Sequence, residues 1–351
     1  AAAAELRGRH GLGGELVYTH ALKGFAFSGN ADAVARDSRV AYVEPDQVVA
    51  IVAQTTPTGV DRIDADLSAI ANINGTDDRV NVDIAIIDTG IDPKHPDLYF
   101  YKGVTVAGAG PAGGKDNNGH GTHVAGTAAA KDNTIGVVGV APGARLWSVK
   151  VLNGSGSGTI SGVIAGVDYV TRNASQIEVA NMSLGCECAS ASLDAAIANS
   201  VAAGVTYAVA AGNDGKDAAT FSPANHPDVI TVSAIVDTDG KGGGLGASTG
   251  YGADDTFASF SNSGATIELA APGVKILSTL RGGGYGEMSG TSMASPHAAG
   301  AAALYKATNP GAAPADVRVA LIAAGTLQSD PNGFTGDTDG SPEPLLNAAS
   351  L

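Results

Sequence analysis

The residues best placed to do chemistry start with Ser292, in Gly290-Thr291-Ser292-Met293-Ala294-Ser295-Pro296-His297. The small-residue run from Met293 to Lys306 reads as a helix, with the serine at its mouth. A serine hydroxyl is a weak nucleophile. It needs a base within hydrogen-bond reach and a third group to orient that base. Ile84-Ala85-Ile86-Ile87-Asp88-Thr89-Gly90 is an apolar strand ending in a carboxylate, and Asn118-Gly119-His120-Gly121-Thr122-His123-Val124-Ala125-Gly126 is a glycine-rich turn entering a helix that starts on a histidine. Asp, then His, then Ser is one of the chain orders in which an acyl-transfer triad occurs.

Such groups need a frame. From Val80 onward apolar runs alternate with helical stretches. Strands are predicted at Val82–Ile87, Arg145–Val151, Val179–Met182, Thr206–Ala210 and Val229–Ala234, and helices at His120–Ala130, Thr159–Arg172, Ala191–Ala203 and Ser292–Ala307. Strands alternating with helices imply an α/β fold with a parallel sheet covered on both faces. Sites in such sheets form outside the carboxyl ends of strands, where Asp88 and Asn213 fall. Residues 1–52 read differently, as helix (Ala1 to His10), strand pair (Gly14–Tyr18, Gly24–Phe27), a short helix from Asn30 to Asp37 capped by Asn30, and a strand with an extended tail from Arg39 to Val49.

Composition narrows the function. Of 351 residues, 44 % are hydrophobic and 16 % charged, ample for a large core. The net charge of −15, with no basic stripe, argues against a nucleic-acid partner. No apolar run reaches membrane-spanning length. The two cysteines, Cys186 and Cys188, make no disulfide framework; a short bridge between them and two free thiols both stay open. No charged-then-apolar leader opens the chain, so a signal peptide is expected to have been removed.

The three segments, in this order and at these separations, resemble the subtilisin-like serine proteases, or subtilases, over nearly the whole chain. The resemblance implies a three-layer fold, with Asp88 as orienter, His120 as general base and Ser292 as nucleophile. Asn213, in Ala210-Ala211-Gly212-Asn213-Asp214-Gly215, would stabilise the oxyanion beside the Ser292 N–H. Ser155–Gly158 and Asn181–Gly185 resemble the two segments that flank a peptide substrate. The candidate substrate contacts are Gly156, Ser157, Gly158, Ser183, Leu184 and Gly185, Ala210 and Gly212 beside Asn213, and Ile160 and Val163 in an upstream apolar pocket. Calcium is the implied cofactor, held by Gln54, Asp97, Asn133 and the carbonyls of Lys131, Ile135 and Val137; these are the hard oxygen donors it prefers. Asp237, Asp239, Asp254 and Asp255 offer a second cation site around the insertion Thr238–Gly246. Residues 1–52 resemble an inhibitory propeptide, a small ferredoxin-like α+β sandwich lacking its first strand, with 53–351 as catalytic domain and self-cleavage near Val52–Ala53. The resemblance also implies a cis bond before Pro223.

The expectation is therefore a secreted, monomeric serine endopeptidase acting on proteins and peptides, with its own propeptide as inhibitor and no membrane partner. A catalytically silent peptide-binding homologue and an esterase are the alternatives. Two other motifs lead elsewhere and fall away. Gly154–Gly158 lacks the Lys-Ser/Thr of a phosphate loop, and the His120–His123 pair has Gly121 where a zinc protease carries glutamate.

Overall fold

A computed structural model of the chain describes residues 2–14, 16–20, 22–45, 53–337 and 339–351. It divides into two compact units, Ala1–Ile51 and Val52–Leu351.

The first unit contains helix α1 (Ala2–His10), strands β1 (Val17–Tyr18) and β2 (Gly24–Phe25), paired antiparallel, and helix α2 (Ala31–Ala35). Asn30 caps α2, its side chain accepting from Ala33 N at 3.2 Å. Among the described residues, Leu6 and Val34 are the buried apolar side chains here, a small core for a unit of this size. The strand expected from Arg39 is not formed over 39–45. Its pattern suits a strand, but among the described residues no edge pairs with it. Arg39 is instead clamped to Asp37 at 2.8 Å and Glu5 at 3.1 Å, and Pro45 has no N–H to give a ladder. The remainder of the expected tail, including Val48 to Val52, lies outside the described residues.

The second unit opens with α3 (Thr58–Arg62) and continues through β3 (Asp83–Asp88), β4 (Phe100–Thr105), α4 (His120–Ala129), β5 (Arg145–Lys150), α5 (Ile160–Arg172), β6 (Val179–Met182), α6 (Ala191–Ala202), β7 (Thr206–Ala210), β8 (Ile230–Val236), β9 (Thr256–Phe257) and β10 (Leu269–Pro272). The hairpin β11 (Ile276–Leu280) and β12 (Gly284–Met288) and helices α7 (Thr291–Thr308) and α8 (Pro314–Ala324) complete it. Seven strands run parallel in the order β10-β8-β7-β6-β3-β5-β4, and β9 joins β8 antiparallel. This is the expected α/β architecture, with helices over both faces.

Side-chain alternation explains the layering. Along β3, Ile84 and Ile86 enter the core shared with α4 and α7, while Ala85 and Ile87 enter the core shared with α5 and α6. Strand side chains alternate between faces, so a run apolar at every position must be covered on both. α5 starts on Thr159, which accepts from Gly162 N at 3.1 Å, and α6 on Ser190, which accepts from Leu193 N at 3.3 Å. The Ser222–Pro223 bond is cis, as expected. Among the described residues no helix is long and apolar enough to cross a membrane.

Candidate active site

Asp88 is the last residue of β3 and fully buried. Both its oxygens lie 2.9 Å from His120 Nδ1, at the first turn of α4. Gly121 permits this approach, because a Cβ there would sit 2.2 Å from Gly90 O and 3.1 Å from the Asp88 side chain. The glycine that rules out a zinc-protease glutamate is thus required by the packing.

Asp116 was missed in the sequence. It is buried and accepts from the Gly119 N–H at 3.0 Å, the Thr122 N–H at 3.2 Å and the Thr122 hydroxyl at 2.6 Å. It therefore does the capping that Gly119 cannot. The signal was a carboxylate one turn before a helix-start histidine. Burial opposes protonation of His120, but the charge and hydrogen bond of Asp88, with Asp116 behind them, outweigh it and raise its pKa above the ordinary 6.5. Beneath the pair, buried Lys150 donates to the carbonyls of Thr89 and Leu152 and to Asn117 Oδ1, tying the end of β3 to the loop that follows β5.

Ser292 stands in the first turn of α7. Pro296 lies one turn on and has no N–H, so the Ser292 carbonyl lacks its helical partner. The Ser183 hydroxyl supplies the missing bond at 2.8 Å, and that hydroxyl also meets Asn181 Nδ2 and Ser295 Oγ, each at 2.9 Å. The end of β6 is thereby fixed to the start of α7. The Ser292 hydroxyl donates to Ser183 O at 3.3 Å rather than to His120; bonds of this kind often tighten only with substrate present.

Asn213 follows β7. Its Oδ1 accepts from the Thr291 N–H at 2.8 Å and the Thr291 hydroxyl at 3.0 Å, which turns the amide nitrogen away from Thr291. A Cβ on Gly290 (φ +151°) would lie 3.5 to 3.7 Å from the Asn213 amide atoms and Ser292 N. A glycine there keeps open the space between two N–H donors.

Gly185, Ala210 and Gly212 line a cavity of about 310 Å³ beside Asn213, with Ala211, Phe221, Ser222 and Ala224; these last four were not read from the sequence. Its walls mix small apolar residues with the polar groups of Asn213, Asp214 and Ser222. A larger hollow of about 580 Å³, between Glu178, Val201 and Lys306, shares no residue with this chemistry. Leu184 is half-buried at the end of β6. Gly156 and Ser157 lie in an exposed loop whose turn is held by Asn153 Oδ1, on Ser155 N at 2.9 Å and Ser157 N at 3.2 Å. Gly158 leads from that loop to Ile160 and Val163, on the first turn of α5. A disulfide joins Cys186 and Cys188, Cα atoms 5.3 Å apart, resolving the alternative left open above. His123 is buried and its Nε2 serves the carbonyls of Ile276 at 2.8 Å and Gly286 at 3.1 Å, a structural role.

Hydrogen bonds draw the residues of the expected calcium set together at the loop after α4. The Gln54 amide bridges Lys131 O at 3.3 Å and Asn133 N at 2.8 Å. Asp97 accepts from Asn133 Nδ2 at 2.7 Å and Val137 N at 3.0 Å, and Ile135 N donates to Asn133 Oδ1 at 2.7 Å. The donor set, one carboxylate, two amides and backbone carbonyls, is all oxygen and fits calcium. Asp237, Asp239 and Asp254 also converge. Asp255 leaves them and pairs with Arg62 at 2.7 Å.

Comparison with known proteins follows the same lines. The subtilase family profile matches residues 80–339. The chain belongs to the subtilase family. Subtilisin E of Bacillus subtilis (strain 168) is 40 % identical over 294 residues, which cover 83 % of this chain and 71 % of that protein. Subtilisin DY of Bacillus licheniformis is 41 % identical over 281 residues, covering 79 % of this chain and 94 % of the relative. The crystal structure of a cold-adapted subtilisin-like serine proteinase superposes with a TM-score of 0.68 at 36 % identity, covering 83 % of this chain and 97 % of the other. This subtilase is accordingly a serine endopeptidase, a hydrolase acting on proteins.

Proposed function

We propose that the chain is a secreted, monomeric endopeptidase that cleaves through an acyl-enzyme on Ser292. The observation that carries the reading is the buried Asp88 carboxylate gripping His120 Nδ1 at 2.9 Å at the carboxyl end of β3, with Asn213 beyond the carboxyl end of β7 bonded to Thr291 beside Ser292. His120 takes the Ser292 proton as the oxygen attacks the scissile carbonyl. Asp88 fixes the imidazole tautomer and stabilises the imidazolium. The carbonyl oxygen, now an anion, is received by Asn213 Nδ2 and Ser292 N in the space beside Gly290. His120 then protonates the leaving amine, and water, activated by the same histidine, releases the acid. Loss of one oxyanion donor costs about 10²–10³ in rate, a magnitude measured on subtilisin rather than worked from this structure.

A peptide would lie as an added strand between 155–158 and 183–185. Its side chain before the scissile bond enters the 310 Å³ cavity, and the side chain three positions upstream meets Ile160 and Val163. A structural calcium ion bound by Gln54, Asp97, Asn133 and the carbonyls of Lys131, Ile135 and Val137 would pin the loop after α4 to the segment at Gln54.

Labelling with a fluorophosphonate tests the reading. One adduct on Ser292, with peptidase activity lost in parallel, is expected. Ser292→Ala should lower kcat about 10⁶-fold, again a value from subtilisin. An unlabelled, inactive wild type would favour a silent peptide-binding homologue, and ester hydrolysis without peptide hydrolysis an esterase.

Residues 1–52 serve in this reading as propeptide and inhibitor, with self-cleavage between Val52 and Ala53. Release of Ala53 is not needed for Gln54 to reach the calcium loop, because in the uncut chain its amide already meets Lys131 O and Asn133 N. N-terminal sequencing of the self-processed protein should begin at Ala53. A start well outside Val52 to Thr55, or processing by pure Ser292→Ala, would refute self-maturation here.

A further inference from the structure

The glycine-rich insertion after β8 carries a second group of carboxylates. Asp237 follows β8 directly, Asp239 lies within the loop and Asp254 near its end, and one oxygen from each lies within 4.8 Å of the others. Asp237 is 1 % exposed, and its Oδ2 meets no hydrogen-bond donor among the described residues. Its Oδ1 has the Gly240 N–H at 3.1 Å and Arg62 Nε only at 3.8 Å. Arg62 is committed elsewhere, to Asp255 at 2.7 Å and to the carbonyls of Asn332 at 2.9 Å and Gly333 at 2.7 Å. Asp254 is held by the N–H groups of Thr238 and Gly246, both at 2.8 Å, and the Thr238 hydroxyl at 3.0 Å. Asp239 accepts from Lys241 N at 3.0 Å. Asp61, on α3, faces the same loop at Gly240.

The local charges therefore do not balance. Arg62 and Lys241 stand against Asp61, Asp237, Asp239, Asp254 and Asp255. A buried carboxylate oxygen with neither donor nor cation is costly. The available donors are all oxygen, which selects a hard divalent ion over zinc or copper. We infer that Asp237, Asp239 and Asp254 form a second calcium site, separate from the Gln54–Asp97 loop, that closes the 238–255 insertion onto the end of β8. Ligation of Asp237 Oδ2 satisfies the unpaired atom and neutralises the cluster. The ion holds an insertion whose tip is glycine-rich and bears an exposed Leu245.

The test uses the full chain carrying Ser292→Ala, stripped of metal and dialysed to equilibrium against calcium chloride alone. Asp239→Asn is the first variant, because Asp239 is only half-buried and its one side-chain bond is local. Asp237→Asn, a near-isostere, is the second. Each should bind one calcium ion fewer per chain than the parent, or bind it at least about tenfold more weakly, since even an outer-shell change costs 10–100-fold. Asp97→Ala should remove a different ion, and the Asp97→Ala/Asp239→Asn pair should lose both. Calcium should protect residues 240–246 from an added protease in the parent but not in Asp239→Asn, while both melt alike in chelator. Unchanged calcium stoichiometry and affinity in both Asn variants, or a single bound ion removed by Asp97→Ala alone, would overturn the proposal.

Discussion

Two buried histidines outside the triad should govern how the protein meets acid. His297 on α7 donates from Nδ1 to Met293 O at 2.8 Å, and its Nε2 is buried without a partner among the described residues. The space it needs is left by Gly59, where a Cβ would come within 2.4 Å of Nε2. Burial pushes its pKa down to about 4, and the nearby His123 is likewise pushed to about 4. Above 6.5 neither the folded nor the unfolded chain is protonated at this site. Below 6.5 only the unfolded chain gains the proton, so stability falls with pH until about 4, where the folded form titrates too. At about 1.4 kcal/mol per pH unit, the loss is about 3 kcal/mol for His297 over the full window. A total stability of about 5–15 kcal/mol makes that a large share. Buried Glu268 and Glu343, both raised to about 7, act with the opposite sign, since their contribution grows as pH falls. The raw pH curve therefore mixes effects, and a variant isolates one. His297→Asn keeps a side-chain N–H for Met293 O but cannot titrate. In a Ser292→Ala background at fixed calcium, urea unfolding should show the stability gap between parent and variant changing by about 2.5 kcal/mol from pH 7.5 to 4.5, to the parent's disadvantage. A gap independent of pH would mean that folded His297 takes up protons as freely as an unfolded one, and the reasoning would fail.

Three further outcomes are expected. His120 must be neutral to act as base, so kcat/KM should fall as pH drops through its raised pKa; Asp116→Asn removes one raising charge and should move that acidic limb to lower pH, visible in a pH–rate profile. Gly290→Ala places a methyl between Asn213 and Ser292 N, so kcat should drop about 10²-fold or more with KM less affected, as steady-state kinetics on a short peptide would show. Chelator should lower the melting temperature, and Asp97→Ala in calcium buffer should reproduce most of that fall; a melt indifferent to both would remove the calcium site from this account.

The elements legible in the sequence were those whose burial is uniform. β6 and β7 are apolar at nearly every position, and their predicted and observed bounds coincide at Val179–Met182 and Thr206–Ala210. β4 escaped notice because its residues, Phe100–Thr105, are exposed or half-buried at the sheet edge. β10 ends in Pro272, tolerable only because it too is an edge strand. α8 carried readable signals, Pro314 at its start and Asp316 accepting from Ala313 N at 3.1 Å, that were passed over. At the site, Asp88, His120, Asn213 and Ser292 stood out because few residue types can fill their roles. Asp116, Phe221 and Thr291 did not, because what they do depends on contacts between segments distant in sequence.

The strand order has a consequence for the life of the nascent chain. β3, first of the parallel set to be synthesised, sits in the middle of the sheet, whereas α7, with the nucleophile, comes after every strand of that sheet. α7 is anchored by Ser183 at the end of β6 and Asn213 beyond β7. No N-terminal fragment that ends before α7 can thus bring Ser292 to His120, and parallel sheets built from distant segments close late and slowly. Hydrolytic competence arrives as one event at the end of folding, so partly made chains are harmless to one another while their backbones are most open to attack.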